Sequence, residues 1–158
     1  MKPTPTVWKY RLRDPLIWQT SIKPDFKNWQ TDTVFFTDEK DRLRLSINID
    51  GTICVEADYA WDGCSPKWQI GWLIVGIPDG APNPVTGYPY TYFGSLIHDA
   101  LLQWEDDPHM PFTREQIDAI FHERLVAEGF PAARLYYRAV RLYSRWVGFK
   151  CKFQRIGL

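Results

Sequence analysis

Neither sign of charge is in excess: nineteen Lys and Arg balance nineteen Asp and Glu. Net charge therefore gives no long-range pull toward a polyanion, and nucleic-acid binding is the weakest of the functions considered. Cysteine is scarce. Cys54, Cys64 and Cys151 are odd in number and form no CxxC pair, which excludes a zinc ribbon and argues against a disulfide framework. Long hydrophobic runs are missing too. The longest, Ile70 to Ile77, is far below the ~20 residues that span a bilayer, so no membrane span is expected. Met1 to Pro5 lacks the apolar core of a signal peptide, and with the few cysteines this reads as a soluble protein made in a reducing cytoplasm. Aromatics are what the chain has in quantity: 8 Trp, 8 Tyr and 9 Phe, or 16% of 158 residues. Side chains with a large apolar body and one polar handle suit rigid interfaces.

The hydrophobic pattern predicts a single α+β domain over 1–158: a small antiparallel sheet with an N-terminal extended arm, packed against about three C-terminal helices. Residues 1–32, with Pro3, Pro5, Pro15 and Pro24, read as arm and edge segments. Residues 33–60 read as a β-hairpin region. Leu43 to Ile49 alternates apolar and polar residues, and Asp50-Gly51 separates it from Thr52 to Ala57, the signature of a type I′ turn. Residues 61–94 read as a turn and a long proline-rich loop, interrupted by an apolar stretch from Trp68 to Ile77 that suits a strand or a short helix. Helices are expected over 95–147, followed by a tail, 148–158. The first runs from Phe93 to Trp104. The second starts at the capping box Thr113–Gln116 and stops at Gly129. The third opens at Pro131 and ends near Val147.

Residues suited to chemistry occur in three places. The turn Asp62-Gly63-Cys64-Ser65-Pro66 holds a carboxylate and a hydroxyl between glycine and proline. His98-Asp99 lies in the first helix, with His98 on the face of Leu101 and Leu102 and so partly buried. Asp118 and His122 share a face of the second helix, where a solvated pair with Arg114 is the default expectation. Asp and His suit a divalent metal, but neighbours on a helix diverge by about 100°, so His98 and Asp99 need not face one ion. Cys64 or Ser65 with His98 and an Asp would form a nucleophilic triad, although no nucleophile elbow is present. A metal-dependent His-Asp phosphohydrolase is excluded because no His precedes His98. His109 lies in a loop and is expected in solvent.

Charge is segregated along the chain. Residues 99–128 carry eight acids and two bases; residues 131–158 carry seven bases and no acid. Arg134, Arg138, Arg141 and Arg145 fall on one helical face. That face is a solvated or salt-bridged face near the acidic segment, an anion or phosphate site with Arg138 and Arg141 as its candidates, or a partner interface.

In order along the chain come Asp62-Gly63-Cys64-Ser65-Pro66, Ile97-His98-Asp99, Ile117-Asp118-Ala119-Ile120-Phe121 and Tyr137-Arg138-Ala139-Val140-Arg141. Together these resemble the phage and prophage domain-of-unknown-function family thirteen fifty-three over about residues 40 to 145. Its pattern is Asp-Gly-small-Ser-x-Pro, His-Asp, an Asp before a Phe, and Tyr-x-x-Val-Arg. Pro66 directly follows Ser65 here, and Cys64 takes the small-residue position. The resemblance singles out Asp62, Ser65, His98, Asp99, Asp118 and Arg141, and implies a bacteriophage or prophage source. It carries no activity.

Two functions fit. In one, the protein is a small hydrolase: Asp62, Ser65, His98, Asp99 and Asp118 share acid–base work or hold a divalent metal under the proline-rich loop. In the other, it is a virion structural component, of the tail or neck, whose polar residues form a hydrogen-bond network and whose partners are other phage proteins or further copies of itself.

Overall fold

The computed structural model describes residues 9–26, 30–63, 67–70, 73–76 and 79–147. They form an α+β fold with eight short strands followed by three helices. Four strands make the main sheet in the order β2 (Leu16–Gln19), β5 (Thr52–Val55), β4 (Leu43–Asn48), β3 (Thr33–Thr37), all antiparallel. Strand β1 (Tyr10–Arg11) pairs with β6 (Ala60–Trp61), and β7 (Lys67–Ile70) pairs with β8 (Leu73–Gly76). The stretch that suited either a strand or a short helix is therefore a hairpin.

Strict alternation makes the main sheet two-faced. Val34, Phe36, Leu45, Ile47, Ile53 and Val55 point into the core. The opposite face carries Ile17, Cys54, Ser46 and Phe35, which are register partners in one row across the four strands. The hairpin at Asp50-Gly51 is present, but its turn differs from the type I′ expectation. Positive φ falls on Gly51 (89°) and not on Asp50. Gly51 N–H donates to Asn48 O at 2.9 Å, which makes a three-residue loop closed by one left-handed glycine.

Helix α1 (Tyr92–Gln103) is buried along nearly its whole length, between the sheet and α2 (Arg114–Ala127). Gly94 allows the close approach of these helices, because a Cβ there would stand 3.0 Å from Leu125 Cδ2. The capping box of α2 is formed as the sequence predicts: Thr113 Oγ1 accepts from Gln116 N–H, and Gln116 Oε1 accepts from Thr113 N–H. Helix α3 (Ala133–Val147) packs on α2 through Ala133, Tyr136 and Val140, which join Phe121 and Leu125 in a second apolar cluster. Among the described residues no helix is long and apolar enough to cross a membrane.

Candidate functional site

His98 and Asp118 meet. His98 Nε2 lies 2.8 Å from Asp118 Oδ1 and bridges α1 to α2. The helical spacing that buries Leu101 and Leu102 carries His98 inward with them, leaving it 7% exposed; Asp118 is 0% exposed. Two arginines complete the group. Arg141 of α3 donates from Nη1 to Asp118 Oδ2 at 3.3 Å and also pairs with Glu115. Arg114, one turn before Asp118 on α2, has its Nε 3.4 Å from Asp118 Oδ1 and donates from Nη1 to Glu105 at 2.7 Å. One carboxylate thus ties together side chains from three helices.

Burial alone pushes the Asp118 carboxyl upward. The hydrogen bond and charge of His98, with Arg114 and Arg141 beside it, outweigh burial and hold it below the usual carboxylate range. An ionised carboxylate only accepts, so His98 Nε2 carries the hydrogen. The His98 ring rests against Phe121, centroid to centroid 5.1 Å. Of the expected solvated pair of Asp118 and His122 with Arg114, the Arg114–Asp118 contact is present, but α3 corrects the rest: Asp118 is buried and does not face His122. That helix covers this side of α2, so Asp118 turns to His98 and Arg141 while His122 packs on Tyr137 at 4.9 Å. His109 is exposed and lies beside Asp107.

The other polar residues gather around the start of α1. Asp62 Oδ1 accepts from Lys9 N–H at 3.3 Å. Its neighbour Trp61 is buried and donates from Nε1 to Ser95 Oγ at 3.2 Å, one turn before His98. Gly63 has φ 81°, and a Cβ on it would collide with the Asp79 carboxylate. Asp79 pairs with Lys9 Nζ and accepts from Tyr10 OH at 3.3 Å, while its carbonyl accepts from Thr91 Oγ1 at 2.7 Å. The hydrogen bond to the Asp79 carboxylate holds the Lys9 ammonium above its usual range. Asp79 was not singled out from the sequence. The signal was available: Asp79-Gly80 repeats Asp62-Gly63, and both glycines have positive φ.

The expected single centre thus falls on two turns of α1. Thr91 donates to the Asp79 carbonyl and Ser95 accepts from Trp61, while His98, about 10 Å along the axis from Thr91, serves Asp118. Asp99 is buried and lies one turn after Ser95. Arg138 is exposed on α3, apart from the ion pairs that occupy Arg141. Ser65 lies outside the described residues, as do Cys64 and Pro66. Among the described residues no group of three or more His, Cys, Asp or Glu is placed to hold a metal ion. Comparisons of the chain with family models, with curated proteins and with solved structures returned no match.

Proposed function

We propose that this chain is a structural and docking component of a bacteriophage or prophage particle, and that its His98–Asp118 group is a structural tie rather than a catalytic centre. The observation that carries this reading is the state of Asp118. It has no exposed surface, and His98, Arg114 and Arg141 already use its two oxygens. A carboxylate so engaged joins three helices and has no room for a substrate. Large apolar side chains meanwhile stand on the surface, among them Ile17 (67% exposed) and Phe35 (62% exposed) on the outer face of the main sheet. Surface of that kind suits a subunit that seats against neighbours. The family pattern supports the phage source.

One observation favours the hydrolase reading. Among the described residues the other ring nitrogen of His98, Nδ1, has no hydrogen-bond partner. A histidine oriented through one nitrogen by a carboxylate can use the other as a general base. Gradient-purified particles from the source strain separate the two readings. The docking role predicts the chain at a fixed ratio to the major particle proteins across the gradient. A chain confined to the soluble fraction, together with a hydrolytic activity abolished by His98→Gln, refutes it.

A further inference from the structure

Helix α3 packs on α2 with one face and leaves the other bare. Arg134, Leu135, Arg138 and Leu142 are all exposed, the two leucines by 67% and 60%. At 100° per residue these four side chains occupy an arc of about 100°, with the arginines along one flank and the leucines along the other. Nothing within the described residues neutralises Arg134 or Arg138. The nearby acids are already committed: Glu105 to Arg114, Glu115 and Asp118 to Arg141, Glu128 to Arg124, and Glu123 to Thr20 and Ser21. From residue 131 onward the chain has seven bases and no acid. Overall neutrality therefore hides one locally cationic, partly aliphatic face.

We infer that this face of α3 docks on an anionic lipid bilayer surface. The charge pattern is complementary to a layer of lipid phosphates. Guanidinium groups reach the headgroup oxygens while the leucines enter the acyl boundary. A fluid interface accepts a convex helical ridge without a partner of matching shape. The docking is peripheral, which agrees with the absence of a spanning helix among the described residues.

Co-sedimentation of the full chain with vesicles tests this. Vesicles of phosphatidylcholine alone are compared with vesicles containing about one third phosphatidylglycerol, at low and high salt. The expected result is binding to the anionic vesicles only, weakened by salt. Arg134→Gln/Arg138→Gln should weaken it about 30-fold, from about 1 kcal/mol for each charge near such a surface. Leu135→Gln/Leu142→Gln should weaken it as well. All four positions are exposed, so circular dichroism should show both variants folded. Equal binding to neutral vesicles overturns the inference. So does loss of binding in the arginine variant alone, which marks a simple polyanion site. Failure to bind anionic vesicles while an acidic peptide or duplex DNA is bound also overturns it.

Discussion

Replacing Asp118 by Asn keeps the shape of the side chain and one acceptor oxygen while removing its charge. His98 Nε2 can still donate to the amide oxygen, but Arg114 and Arg141 lose the anion between them. Removing one partner of a buried ion pair costs about 3–5 kcal/mol. Arg114 keeps Glu105 and Arg141 keeps Glu115, so the lower end applies, about 3 kcal/mol. For a chain of this size that lowers Tm by roughly 6–12 °C. The pH dependence follows from the direction of the shift. The folded carboxyl titrates below its ordinary value of 3.8, so the charge-linked stability is complete above that value and is lost as pH falls through the folded pKa. Urea unfolding of the native chain and of Asp118→Asn should therefore differ most at pH 7 and converge on acidification. A difference below about 1 kcal/mol at pH 7 (well under the buried-pair range), or one that persists unchanged into acid, refutes the electrostatic account of this centre.

Other substitutions probe the surrounding architecture. Thr113→Ala removes the cap of α2 and should cost about 1 kcal/mol in urea unfolding; no change means that the capping box is idle. Gly63→Ala meets both a positive φ and the Asp79 carboxylate, so it should destabilise by about 1–3 kcal/mol and speed hydrogen exchange at Tyr10–Leu12; an unchanged exchange pattern contradicts the tie between that turn and β1. Trp61→Phe keeps most of the buried ring and loses the bond to Ser95, which should cost about 1–3 kcal/mol by calorimetry; a neutral result means that Ser95 finds another partner.

Local signals with a strong physical cause were readable from the chain. The Thr113–Gln116 pair satisfies the orphan donors of a helix start, Gly129 takes the left-handed position that ends the same helix (φ 71°), and the alternation of Leu43 to Ile49 sets a two-faced strand. What escaped depends on distant parts of the chain. Strands β1 and β6 have two residues each, too few to show a period, and exist because they pair across about fifty residues. Strand β2 has four residues behind Pro15 and is fixed by pairing with β5. The apolar run into β7 and β8 is ambiguous by periodicity because Lys67 to Ile70 alternates for only four residues and Leu73 to Gly76 does not alternate. Asp118 looked solvated because its position beside the apolar face of α2 says nothing about α3, which arrives later in the sequence and closes over it. Asp79 stood in a proline-rich loop, and its role appears only when Gly63 and Lys9 come to it.

The most direct test of the account is a double replacement, His98→Gln with Asp118→Asn, carried in the source strain at a temperature where the purified variant is folded. Gln can donate and Asn can accept, so the bridge between α1 and α2 is retained without imidazole or carboxylate. A structural tie predicts normal particle yield and normal incorporation of the chain. A folded variant that abolishes particle formation, or that is incorporated yet leaves a chemical step undone, contradicts it.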